Sequence, residues 1–203
     1  MGFGKYGFLA REYLDVYPGH GEYGEWRRRI DGIEAFAKYL TPVHNYIYNN
    51  VYVGDAVEVL ARLQTRYELI LLIDVLEHFD TARGQQLLRL CQEKGDNLVI
   101  STPIDIGEQG AHFHNTLETH RSQWRPRDFN FLPSRFFISN ESSFICVAGD
   151  QASSIAVRYE RQQVRSALKT LFPIVRAPYR LLKRLAGNRL PRSRGIRILG
   201  PNG

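Results

Sequence analysis

The stretch ELILLIDVL, residues 68–76, is an almost unbroken apolar run. Such a run reads as a strand buried on both faces of a parallel sheet, where no face meets water and the usual alternation is lost. DNLVISTP, residues 96–103, is a second run of the same kind, stopped by Pro103. Between them TARGQQLLRLCQEKG has helical spacing and closes on Gly95. Upstream, KYGFLAREYLDVY places Tyr6, Leu9, Tyr13 and Tyr17 at helical intervals and ends before Pro18-Gly19. RRIDGIEAF reads as a short strand ending at Glu34. AKYLTPVHNYIY is helix-like but interrupted at Pro42, NVYVGDA is a further short strand, and AVEVLARL a helix. Helices alternating with strands predict an α/β fold, a Rossmann-like, mostly parallel sheet with helices on both faces. SRFFIS and SSFICVAG, joined across Asn140-Glu141, predict a C-terminal antiparallel hairpin. The long polar stretch 104–126 lies before it, and a loop of that length inside a domain is usually functional.

The chain of 203 residues carries a net charge of +6 that is unevenly spread. From Ile155 onward twelve Lys/Arg face one acid, Glu160, so a mildly acidic body carries a strongly basic tail. The shift to small polar residues at GDQASS places the boundary: a domain over 1–149, a basic amphipathic helical extension over 150–187, and a disordered tail over 188–203. No run reaches the roughly 18 apolar residues of a membrane span, and the N-terminus has neither a secretory signal nor the Ser or Thr a myristoylation site wants at position 6. Two cysteines, Cys91 and Cys146, make no disulfide framework and read as buried thiols of a cytoplasmic protein.

The chain begins with Gly2-x-Gly4-x-x-Gly7 directly before the first helix. Glycines here let backbone amides approach a ligand at a helix N-terminus, which favours polar or anionic groups. Alone, the pattern also marks an NAD-binding turn or a plain tight turn. Together, GFGKYG, DGIEAF, YVGDA, LILLIDVLEHF, VISTP and the hairpin resemble, in order and spacing from Gly2 to about Gly149, the class I S-adenosylmethionine-dependent methyltransferases. The resemblance implies that S-adenosylmethionine binds at the carboxyl ends of adjacent strands. Gly2, Gly4 and Gly7 would hold its methionine end, Glu34 its ribose hydroxyls, Asp55 and Ala56 its adenine, and Asp74 would face its reactive end. Asp55 equally suits the N-cap of the helix that follows it, and the two roles are compatible. In this family a strand precedes the glycines, between those ending at Glu34 and Asp74. Its absence here predicts that Met1 is a misplaced start or a truncation point.

DVLEHF sets Asp74, Glu77 and His78 within five positions, and the long loop adds His112, His114 and His120. The set resembles that of small-RNA 2′-O-methyltransferases and ubiquinone-pathway O-methyltransferases, in which an acid, an acid-His pair and a distant His hold a divalent metal. THRSQWRPRDF, with His120 ahead of Trp124, fits the distant histidine. The resemblance implies a metal held by Asp74, Glu77, His78 and His120 that activates an acceptor hydroxyl. Without metal, His78 or His120 would act as the catalytic base beside Glu77. His112 and His114 are assigned no role.

In the tail Val164, Leu168, Leu171, Val175, Tyr179 and Leu182 form an apolar stripe flanked by basic residues. It reads as a helix packed on the domain or as contact with an anionic membrane surface. Nucleic acid is the less supported partner, for no stacking aromatics interleave the charges. The sequence thus predicts an O-directed methyltransferase acting on a small-molecule or lipid/glycan-linked acceptor, cytoplasmic or peripheral at a membrane. The alternative is a non-catalytic relic of that fold serving as a membrane or protein adaptor.

Overall fold

The computed structural model describes residues 1–17, 19, 24–111 and 114–167. The chain divides into two compact units, Met1–Ser153 and Ser154–Gly203. In the first, α1 (Lys5–Arg11) runs into a π-helical turn, Glu12–Val16. Then follow β1 (Asp31–Glu34), α2 (Pro42–Ile47), β2 (Asn50–Val53), α3 (Ala56–Arg62) and β3 (Ile70–Ile73). The unit ends with α4 (Thr81–Lys94), β4 (Asn97–Pro103), β5 (Arg135–Ser139) and β6 (Ser143–Gly149). Pro42 opens α2 at its first turn, where a missing N–H costs nothing, so the helix begins where the sequence suggested an interruption.

The fold is α/β, with parallel pairs and an antiparallel closing hairpin, as the alternation of elements predicts. β1 pairs in parallel with β2, Asp31 opposite Asn50 through Glu34 opposite Val53. β3 pairs in parallel with β4, and β6 lies antiparallel between β4 and β5, giving the order β3-β4-β6-β5. The parallel strands therefore fall in two sheets, and among the described residues β1 and β3 do not pair with each other. The Tyr67 hydroxyl, donating to Asp31 Oδ2 at 2.7 Å, joins the start of one to the approach to the other. β3 is less enclosed than its sequence suggests. Of β3 only Leu72 is buried, and Leu71 is 40% exposed; among the described residues no strand pairs with the edge away from β4.

β4 and β6 carry most of the core. Their alternate residues Leu98, Ile100, Phe144 and Cys146 meet Leu76, Leu87, Leu88, Cys91, Trp124 and Phe129 in one apolar cluster. Burial pushes both thiols, Cys91 and Cys146, up to about 12, so they are unreactive packing groups. Trp124 lies against Gly84 of α4, and a Cβ at Gly84 would run into its ring. Gly84→Ala is accordingly expected to lower stability by about 1–3 kcal/mol, read as a lower urea midpoint. An unchanged midpoint would mean that the ring has room to move.

The irregular chain after α1 is anchored by Arg11, which is 2% exposed. It donates to Ile47 O at 2.7 Å, to Asn49 Oδ1 at 2.7 Å and to Asp15 Oδ2 at 2.9 Å. Desolvation works against ionisation of Asp15, but hydrogen bonds from Arg11 and from the amides of Arg27 and Arg28 hold its carboxyl below the usual range. Residues 152–167 form a helix. The remainder of the apolar stripe, from Leu168, and the predicted tail over 188–203 lie outside the described residues.

Candidate functional site

The glycine segment adopts the backbone for which glycine is needed. Gly2 has φ 59° and Gly4, the N-cap of α1, has φ 87°. Gly7 packs so closely on the Tyr48 ring that any side chain would overlap it. The loop is gripped from two sides. Gly2 N–H donates to Glu34 Oε2 at 2.8 Å, and Phe36 N–H donates to Glu34 Oε1 at 2.9 Å. On the other side His44 is 1% exposed and fixed as one tautomer. Its Nδ1 accepts from Thr41 N–H at 3.0 Å, so Nε2–H donates to Gly2 O at 2.9 Å. Glu34 was named from sequence, whereas His44 was not. Its signal is the Thr41-Pro42 helix start, with His44 in the capping-box position.

Asp55 caps α3, accepting from Val57 N–H at 2.9 Å and Glu58 N–H at 3.2 Å, with Arg83 Nη2 at 2.9 Å on the same oxygen. The capping reading is thus realised, and Ala56 is the first residue of the helix. Asp74 directly follows β3 with φ 52°, a left-handed backbone that a non-glycine residue adopts at a cost of about 1–3 kcal/mol. Its Oδ1 accepts from Ser101 Oγ at 3.2 Å.

The acceptor side is built on the turn Leu76–His78 and on the long loop. Glu77 is 1% exposed; its Oε2 accepts from Thr102 Oγ1 at 3.2 Å, and burial pushes its carboxyl up to about 7. Burial moves His78 the other way, downward, favouring the neutral ring. The His78 and His120 rings lie 5.2 Å apart between centroids. His120 uses Nδ1–H on the carbonyl of Ile106, which leaves the Nε2 lone pair free. One ligand atom from each of Glu77, His78 and His120 falls within 4.8 Å of the others. Two imidazoles and a carboxylate of this kind suit a divalent cation, and the carbonyl partner of His120 is a typical orienting contact. Three of the four candidate ligands therefore converge, and Asp74 stands outside the group.

The loop that reads as polar and open turns inward in its second half. Ser122 Oγ donates to Phe79 O at 2.7 Å, and Trp124 Nε1 donates to Leu76 O at 3.1 Å. Arg121 N–H and Ser122 N–H both donate to Glu77 O. Glu118, His120, Ser122 and Trp124 all point toward the site or the core, the period of two of an extended chain. Glu118 was not singled out from sequence. Its Oε1 accepts from Tyr39 Oη at 3.0 Å, and its Oε2 lies 3.9 Å from His78 Nε2.

No family model matches the chain, and no curated protein matches it. Solved structures do. One is a SAM-dependent methyltransferase from Archaeoglobus fulgidus, 14% identical, with a TM-score of 0.44 over 73% of this chain and 94% of that one. Another is magnesium protoporphyrin IX methyltransferase from Synechocystis PCC 6803 with bound SAH, 15% identical, with a TM-score of 0.40 over 60% of this chain and 64% of that one. A third is an O-methyltransferase family protein from Burkholderia thailandensis, 11% identical, with a TM-score of 0.40 over 72% and 57%. All three are methyltransferases. This chain spans less than two thirds of the latter two.

Proposed function

We propose that this chain is an S-adenosylmethionine-dependent methyltransferase directed at a hydroxyl oxygen of a small-molecule or lipid/glycan-linked acceptor. The observation that carries the reading is the pairing of a glycine loop, seated on the buried Glu34 carboxylate, with the converging Glu77, His78 and His120. S-adenosylmethionine would supply an electrophilic methyl group on a sulfonium. Glu34 has lone pairs beyond the two used by Gly2 and Phe36, and these suit ribose hydroxyls. Gly2, Gly4 and Gly7 would line the methionine end, Asp55 with Ala56 the adenine, and Asp74 would border the sulfonium. Methyl transfer to the acceptor oxygen would leave S-adenosylhomocysteine as the other product, so the task of this chain's residues is to hold the two partners and take up the hydroxyl proton.

The hydroxyl must lose its proton, and without a cation His120 through Nε2, or His78 beside it, would take it. With a divalent cation held by Glu77, His78 and His120, the same Nε2 would be a ligand, and the cation would instead lower the hydroxyl pKa. An anionic membrane surface contacting the basic tail suits a lipid-linked acceptor; among the described residues no helix is long and apolar enough to cross a membrane.

Titration calorimetry with S-adenosylhomocysteine on the full chain tests the cofactor reading. Saturable one-site binding is the expected result, and a folded chain that takes up none would sink it. Manganese binding, followed by electron spin resonance, is expected to weaken at least tenfold in His120→Ala. Equal binding by the variant would remove the cation from the scheme.

A further inference from the structure

Tyr39 and Glu118 are 79 residues apart in the chain, belong to none of the roles assigned above, and are joined side chain to side chain. Tyr39 sits in the short turn after β1, 6% exposed, and reaches in two directions. Its ring lies 4.8 Å from that of Phe3, between Gly2 and Gly4, and 4.9 Å from that of Phe36, whose amide binds Glu34. Its hydroxyl donates to Glu118 Oε1 at 3.0 Å.

Glu118 is in turn the knot of the acceptor-side loop. Asn115 Nδ2 donates to its Oε1 at 3.4 Å, Gln109 Nε2 donates to its carbonyl at 2.8 Å, and His120 N–H donates to Gln109 O at 3.1 Å. The other carboxylate oxygen faces His78 Nε2 at 3.9 Å, and the carbonyl of the next residue, Thr119, lies 3.4 Å from His78 Nδ1. Both histidines thus take their placement from the segment that Glu118 holds. That segment is otherwise a loop between β4 and β5, whose order depends on such contacts.

We propose that Glu118 is the positioning residue of the acceptor side, and that its bond to Tyr39 ties the placement of His78 and His120 to the glycine loop. A ligand that settles Phe3 and the Gly2–Gly4 backbone settles Tyr39 with them, and Tyr39 fixes Glu118. The loop carrying His120, already latched, is then held more firmly as the glycine loop fills. The acceptor site is most ordered when the first ligand is in place, which limits exposure of a bound methyl donor to water. The coupling to ligand rests on the cofactor reading above; the latch itself does not.

Hydrogen–deuterium exchange on the full chain separates the two. In Tyr39→Phe the ring contacts with Phe3 and Phe36 remain and only the hydroxyl is lost. Without any ligand, amides of residues 106–111 and 114–121 are expected to exchange about three- to tenfold faster in Tyr39→Phe, the size of one lost net hydrogen bond, and at least as fast in Glu118→Leu, which removes the acceptor. Adding Tyr39→Phe to Glu118→Leu should bring little further change, since the link between the two is already broken there. Unchanged exchange, or fully additive effects, would overturn the latch. With S-adenosylhomocysteine, exchange over 106–121 is expected to slow in the unmodified chain. In Tyr39→Phe the ligand is expected to bind within about twofold of the unmodified affinity yet leave the loop unprotected, because the ring that packs on Phe3 and Phe36 is kept. Equal protection in both would overturn the coupling. Failure of the unmodified chain to bind would remove the cofactor reading while leaving the ligand-free comparison to decide the latch.

Discussion

Glu34→Gln is expected to weaken S-adenosylhomocysteine binding by about 10- to 100-fold and to lower stability by about 2 kcal/mol, the scale of one lost charge-assisted hydrogen bond. The size of the effect follows from what the carboxylate does in this fold. It is 8% exposed, it ends β1, and it accepts from Gly2 N–H on one oxygen and from Phe36 N–H on the other. Glutamine fills the same volume but has a single acceptor oxygen. Its NH2 must then face one of the two N–H groups, donor against donor, and an amide in a buried site is left unpaired. The cost reaches the ligand by two routes. The glycine loop loses the anchor that sets its φ-positive backbone, and the ribose loses a charged acceptor. Calorimetry gives the affinity and urea unfolding the stability. A glutamine variant that binds within twofold of the unmodified chain would show that Glu34 only braces the loop. One that unfolds at the same urea concentration would show the converse.

Much of this arrangement was legible in the sequence, and what was not has a physical reason. Apolar runs located β3 and β4, turn residues located the β5–β6 hairpin, and the glycines located a loop whose φ of 59° and 87° glycine adopts without strain. Strand-end position was enough to name Glu34, and the His120–Trp124 spacing was enough to bring a distant histidine to Glu77 and His78. Enclosure of β3 was overestimated, because an apolar run records what a strand can bury and not whether both its edges are paired. Glu118, Ser122 and Tyr39 were missed for a different reason. Residues 118–122 are polar at the positions that turn inward, so hydrophobic periodicity carries no trace of them. Their burial is stabilised by hydrogen bonds to carbonyls and to one another, as for Ser122 on Phe79 O and Tyr39 on Glu118. A period of two in polar residues across a long loop, Glu118-x-His120-x-Ser122-x-Trp124, is the signal that could have found them. Asp74 lies outside the group of Glu77, His78 and His120, although its charge still reaches Glu77.

Glu77 supplies the other large effect, a stability that falls as pH rises. Burial, with the charge of Asp74 adding to it, pushes its carboxyl up from the ordinary 4.5 to about 7. Between these values the unfolded chain has released the proton and the folded chain still holds it, so the folded state binds more protons and loses stability with each pH step. The slope is about 1.4 kcal/mol per unit, amounting to about 3 kcal/mol across the window, and it flattens above pH 7. His78, shifted downward by burial, acts with the opposite sign below its ordinary 6.5, so the measurement must be a difference. Glu77→Gln cannot titrate. The stability of the variant minus that of the unmodified chain, from urea unfolding in the presence of a chelator, is expected to rise by about 3 kcal/mol from pH 4.5 to pH 7 and then hold level. The same carboxyl is the one anionic group of the Glu77, His78 and His120 cluster. A divalent cation bound there would favour its ionised form and cancel the burial cost, so adding manganese should stabilise the unmodified chain most above pH 7 and Glu77→Gln little at any pH. A difference curve that stays flat from pH 4.5 to pH 8 would mean that water reaches Glu77 and that its carboxylate is not held at a cost. Manganese stabilising both chains alike would take the cation away from this cluster.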